Sequence, residues 1–122
     1  MSVDEILDIR AEDGVVVAQL KGEIDLANAR PIGSLITGAV TNDVRGVVLD
    51  LTDTTYLDSS GVHLVFELHE RLRARQQRLV LAIPAGSRIR RVLDLVNVEA
   101  VIPVVPDVEG AKSAAREPLR AE

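Results

Sequence analysis

The sequence predicts an α/β sandwich, with a mixed sheet of four to five strands and about four helices packed mainly on one face. Three observations predict it. A hairpin signal opens the chain. Short β-branched runs then alternate with segments of helical periodicity, the order that builds parallel strand pairs. The most apolar of these runs, Val47 to Leu51, lies between clearly amphipathic helical segments. The 122 residues suit one compact domain. A chain of that length buries roughly two-thirds of its unfolded surface, so it needs no disulfide or metal to hold a core.

The hairpin is read from Ile6 to Ala11, which alternates, and from Val15 to Leu20, which is rich in valine, with Asp13-Gly14 between them as the turn. Val16, Ala18 and Leu20 are the expected core face of the second strand. Gly22-Glu23-Ile24-Asp25 breaks the pattern, and Asp25 suits an N-cap. Ala29, Ile32, Ile36, Ala39 and Val40 then recur at helical spacing. Pro31 fits the first position of that helix, where no N–H is needed. Val47 to Leu51 reads as a central strand covered on both faces, and Thr52 to Asp58 as a polar turn.

Ser60 to Gln76 is the clearest helix, with Gly61, Val62, Val65, Leu68, His69 and Leu72 on one face. Leu79 to Ile83 is another strand, ended by Pro84. Ser87 to Val96 is a second amphipathic helix, carrying Ile89, Val92, Leu93 and Val96, with Asn97 suited to close it in the left-handed conformation. Val101 to Val105 contains Pro103 and so belongs at a sheet edge. Asp107 to Ala115 forms a last helix. Residues 1–115 make the domain, and 116–122 are expected to be a mobile tail.

Composition removes several function classes. The formal net charge is −5 and aromatic residues make up 2% of the chain, a poor match to a nucleic-acid binder, which needs a basic face or stacking platforms. The opening segment carries Asp4, Glu5 and Asp8 rather than a basic, then apolar, leader, and no apolar run is long enough to span a bilayer. No membrane association is expected. Cysteine is absent, which removes disulfides and thiolate metal sites.

The residues offer little catalytic chemistry. There is no phosphate-cradling glycine loop and no nucleophile elbow. His63 and His69, the two histidines, are six residues apart on one helix and diverge by about 120°. His63 falls on the solvent side and His69 on the flank of the apolar stripe. Asp50, Asp53 and Asp58 gather between strand and helix, but lack the spacing of a calcium loop; turn and capping roles explain them. Arg71, Arg73, Arg75, Arg78, Arg88, Arg90 and Arg91 read as a solvated face rather than a patch for an acidic partner. No cofactor, no metal and no enzymatic activity are expected.

Leu57-Asp58-Ser59-Ser60-Gly61-Val62 remains. It follows the buried strand and opens the best helix. On its own chemistry the stretch is either a cap with a close-packing glycine or a phosphoacceptor. Here the chain resembles the STAS-domain family, specifically the bacterial anti-sigma factor antagonists, from about Ile6 to Ala115. Gly22-Glu23-Ile24-Asp25 resembles the family's G-E-[LI]-D. Val47 to Val62 resembles its strand, loop and D-S-[ST]-G-[LV] motif. Ser87 to Val96 resembles its later helix, here with Ile89, Arg91 and Leu93. Two positions depart from the pattern: His63 stands where many antagonists have a small residue, often glycine, and Asn97 where glycine is frequent.

The resemblance implies a cytoplasmic partner switch. Ser59, directly after Asp58, would be phosphorylated by a serine kinase that is itself the anti-sigma factor and holds the ATP. A phosphatase would reverse the modification. The unphosphorylated form would bind that kinase and release its sigma factor. Asp25, Asp58, Ser60, Gly61, Val62 and His63 would contact or support the partner, His63 bearing on partner choice. A helix N-terminus favours anions, so phosphate would act at the interface, by repulsion and desolvation, rather than by melting the helix. A loss of about 3 kcal/mol there is roughly a hundredfold in affinity. The alternative within the family is a binding module of another complex, such as a stressosome, a transporter or a lipid-transport accessory.

Overall fold

In the computed structural model, which describes residues 3–118, the opening hairpin is formed by β1 (Leu7–Glu12) and β2 (Val15–Leu20), antiparallel with Glu12 opposite Val15. The two turn residues both have positive φ, 56° at Asp13 and 82° at Gly14. That is the turn whose twist matches a two-residue hairpin. Ahead of it lies a one-turn helix, α1 (Val3–Ile6), which buries Ile6; the sequence had placed Ile6 in the strand.

From β2 the sheet grows by parallel pairing. β4 (Gly46–Asp50) pairs with β2, β6 (Arg78–Ala82) with β4, and β7 (Val104–Val105) with β6, giving the order β1-β2-β4-β6-β7. The mixed five-stranded sheet is as expected, with β4 at its centre and every residue of β4 buried. The strand ending at Val105 lies at the edge, where the carbonyl of Pro103 still accepts from Leu81 N–H although proline donates nothing.

The helices are α2 (Ala29–Ala39), α3 (Ser59–Ala74), α4 (Arg88–Leu95) and α5 (Val108–Arg116). The first three bury Ile32, Ile36, Leu64, Leu68, Leu72, Ile89 and Leu93 in one core with Val16, Ala18, Leu20, Val47 and Leu49. The fourth covers the other face alone, where Ala111 and Ala115 sit on Val15, Val17, Val48 and Val80. The expected face of β2 therefore lies in the main core, and Val15 and Val17 on its other face are buried as well. Small residues bring α5 close to the sheet: a Cβ on Gly46 would lie 2.5 Å from the Ala115 carbonyl oxygen. Buried Lys112 fastens the helix to the hairpin, donating to Glu12 and Asp13, each at 2.9 Å.

Three local expectations are corrected. Thr52 to Asp58 is not all turn: β5 (Thr54–Leu57) pairs in parallel with β3 (Gly22–Ile24) in a separate two-stranded sheet. Pro31 is the third residue of α2, not its first; an unpaired first-turn N–H is missing there, so the position tolerates proline. Asn28, not Asp25, precedes the helix as its cap residue. Elsewhere Ser87 caps α4 by accepting from Arg90 N–H, and Asn97 follows the helix at φ 56°, ψ 46°. α5 runs on through Arg116, and residues 119–122 of the expected tail lie outside the described residues.

Candidate functional site

The end of β5 delivers Asp58 in an extended conformation to the N-cap of α3. Its Oδ1 accepts from Ser60 N–H at 2.8 Å and Gly61 N–H at 3.1 Å. Its Oδ2 accepts from Leu26 N–H at 3.2 Å. One carboxylate thus satisfies two free donors of the helix start and ties that start to the turn after β3. Ser59, the first residue of α3, is left exposed, while Ser60 is half-buried.

Asp25 holds the facing turn. Its Oδ1 accepts from Ala27 N–H at 3.0 Å, its carbonyl oxygen accepts from Ala29 N–H at 2.9 Å, and its own N–H donates to Asn28 Oδ1 at 2.9 Å. The Asn28 side chain donates in turn to the Glu23 carbonyl. This turn carries Leu26 outward, 81% exposed.

Between this turn with α2 and the first turns of α3 runs an open groove of about 870 Å³. Ser59, Ser60 and His63 line it, together with Leu26, Arg30, Glu67 and Arg71. His63 Nε2 lies 3.0 Å from Glu67 Oε2, and Arg71 donates to Glu67 Oε1 at 2.9 Å, so the α3 wall carries a ladder of linked polar side chains. Of the other expected residues, Asp25 and Asp58 brace the groove by their hydrogen bonds. Gly61 is buried beneath it, where a Cβ would meet Leu57 Cδ2 at 2.8 Å and the Ile24 carbonyl oxygen at 3.1 Å. Val62 is half-buried against the core.

Leu26, Arg30, Glu67 and Arg71 were not anticipated. Leu26 precedes Ala29 by three, so periodicity alone would add it to the buried stripe of α2. The Asp25 turn removes it from the helix and faces it outward. Glu67 and Arg71 carried a signal, four residues apart on the polar side of α3 and in line with His63.

The other candidates do not converge. Asp50 accepts from the Thr52 N–H and hydroxyl, and Asp53 from the Gln19 side chain, while Asp58 caps α3. Among the described residues no three carboxylates or histidines are grouped to hold a metal. His69 is buried, and burial holds its imidazole below the usual histidine range. The arginines serve separate places: Arg75 donates to the Val40 carbonyl, Arg78 to that of Pro118, and Arg90 pairs with Asp94 and Glu99.

A family model describing the STAS domain matches residues 7–111. The chain belongs to the STAS-domain family. This STAS domain is 31% identical over 102 residues to BtrV of Bordetella bronchiseptica, named as a candidate anti-sigma factor antagonist, with 84% of this chain and 87% of that one covered. An anti-sigma factor antagonist structure from Mycobacterium paratuberculosis superposes with a TM-score of 0.75 at 27% identity, covering 91% of this chain and 93% of that one. The Bacillus cell fate determinant SpoIIAA, solved in a phosphorylated form, shares the fold with a TM-score of 0.67 at 23% identity, covering 88% and 98%. Among the described residues of this STAS domain no helix is long and apolar enough to cross a membrane.

Proposed function

We propose that this STAS domain is an anti-sigma factor antagonist working as a cytoplasmic partner switch. Unphosphorylated, it binds an anti-sigma factor that is a serine kinase and thereby releases a sigma factor. That kinase, holding the ATP, phosphorylates Ser59 and ends the complex, and a phosphatase restores the binding form. The chain supplies a surface and a hydroxyl and has no turnover of its own.

The observation that carries this reading is the position of Ser59: exposed, first in α3, and lining the groove. The similarity to antagonists of the same size supports the choice of partner. The Asp58 carboxylate supplies the repulsion. Its oxygens are already held by three backbone N–H groups, so it stays in place beside the added charge. A phosphate brings about −1.5 to −2 charges at neutral pH, and a partner covering the groove would have to desolvate that charge next to Asp58.

Binding tests the reading. The protein is titrated into its kinase-type anti-sigma factor before and after incubation with ATP. The expected result is a stable complex that weakens roughly a hundredfold once Ser59 is phosphorylated, equivalent to about 3 kcal/mol. Equal affinity of the two forms would remove the switch, and absence of any complex would favour a binding role in another assembly.

A further inference from the structure

The ladder on α3 has a register with respect to Ser59 that the proposed switch does not use. Ser59, His63, Glu67 and Arg71 follow one another at intervals of four residues, and all of them line the groove. Residues four apart on a helix are surface neighbours, about 5–6 Å between Cβ atoms, and helical side chains lean toward the N-terminus. Arg71 therefore leans over Glu67, Glu67 over His63, and His63 over Ser59. Contacts of 2.9 Å and 3.0 Å are made at the first two steps. The third step ends on the hydroxyl that the preceding reading phosphorylates.

We propose that His63 is the residue that senses the state of Ser59: its protonated imidazole pairs with the phosphoserine one turn before it, in place of its bond to Glu67. The inference rests on the phosphorylation of Ser59 and adds how the modified group is held. The charged groups that line the groove with His63 are Arg30 from α2 and Glu67 and Arg71 on α3, and Asp58 caps the same end of α3. They comprise two cations and two anions, which cancel. A dianion at Ser59 leaves that set in excess negative charge, and a proton on His63 offsets part of it.

The second ionisation of a phosphoserine lies near about pH 6, so a cation one turn away bears on its charge near neutrality. Side-chain exposure of 76% at His63 and 43% at Glu67 leaves the exchange open to solvent and screened by salt. Breaking the bond to Glu67 also alters the groove wall over the length of the ladder, so the modification would be felt two turns from Ser59.

The test uses full-length protein with phosphoserine placed at position 59 by genetic encoding, so no kinase is needed. Phosphorus NMR follows the phosphoserine titration in that protein and in its His63→Gln and Arg30→Gln forms. The expected result is a midpoint about half a pH unit lower with His63 present than in His63→Gln, roughly threefold in proton affinity, the difference shrinking at high salt. The His63 ring resonances should move through the same titration, against the buried His69 as internal reference. Identical midpoints with and without His63 would overturn the proposal. So would loss of the low midpoint in Arg30→Gln alone, which would assign the phosphate to Arg30. Failure of any kinase to modify Ser59 would count against the proposed function and leave this measurement standing.

Discussion

Asp58 and Leu26, thirty-two residues apart, are joined by a hydrogen bond of 3.2 Å from the Leu26 N–H to Asp58 Oδ2. Through it the carboxylate that caps α3 also fixes the turn bearing the most exposed apolar side chain of the groove. Replacing the acid should damage both. Asp58→Ala is expected to cost about 1–2 kcal/mol in urea unfolding, the usual effect of losing a cap, and to raise amide hydrogen exchange at Leu26 as well as at Ser60 and Gly61. Exchange that rises at Ser60 and Gly61 alone would separate the two roles.

Gly61 is required by packing. A methyl group there lies 2.8 Å from Leu57 Cδ2 and 3.1 Å from the Ile24 carbonyl oxygen, so the Leu57 side chain must shift and the Ile24 carbonyl must give slightly. Alanine gains up to about 1 kcal/mol in helix propensity, against an overpacking cost of about 1–3 kcal/mol. Gly61→Ala should therefore destabilise by up to about 2 kcal/mol, read by denaturant unfolding. A more stable variant would show that the β3–β5 sheet moves freely against α3.

His69 and the Glu12 and Asp13 carboxylates on Lys112 contribute to the response to acid. Burial lowers the His69 pKa, so the unfolded chain binds more protons below about pH 6.5 and stability falls as pH drops through that region. Hydrogen bonds from Lys112 hold Glu12 and Asp13 below the usual carboxylate range. Their contribution is complete above the unfolded values, near pH 4, and is lost as pH falls through the lowered folded ones. Chemical denaturation from pH 7 to 3 should give two declines, the upper one absent in His69→Gln and the lower one reduced in Lys112→Met. A single decline retained by both variants would contradict this account.

Much of this architecture is legible in the chain because its signals are local. Asp13-Gly14 between two alternating runs specifies a hairpin, and Ser87 followed by Ile89 and Leu93 specifies a capped amphipathic helix. The small sheet is not legible. Gly22–Ile24 and Thr54–Leu57 each offer one well-buried apolar residue, Ile24 and Leu57, and the partner that makes each a strand lies about thirty residues away. The cap of α2 is not legible for a similar reason: Asp25 suits a cap by residue type, but its turn, held locally by the Asn28–Glu23 bond and across thirty-two residues by Asp58, delays the helix start to Ala29. At the site, family likeness singled out Ser59, but the groove depends on Leu26 leaving the helical stripe, a consequence of the Asp25 turn, which Asp58 ties to α3, rather than of periodicity.

Charge mimicry should be partial. Aspartate carries one charge and two oxygens, against nearly two charges and three oxygens for phosphate. Ser59→Asp is expected to weaken binding to the anti-sigma factor by an amount between those for the unmodified and phosphorylated proteins, measured by calorimetric titration. Binding as tight as that of the unmodified protein would mean that added negative charge at this position does not control the complex.

The most direct measurement is the location of the phosphate. Wild-type, Ser59→Ala and Ser60→Ala proteins are incubated with the cognate kinase and ATP and mapped by mass spectrometry. Ser59 is exposed, whereas Ser60 is half-buried one step further into α3. The account predicts phosphate on Ser59 in the wild type and in Ser60→Ala, and none in Ser59→Ala, which should still bind the kinase. Phosphate on Ser60, or modification of the Ser59→Ala protein, would contradict it.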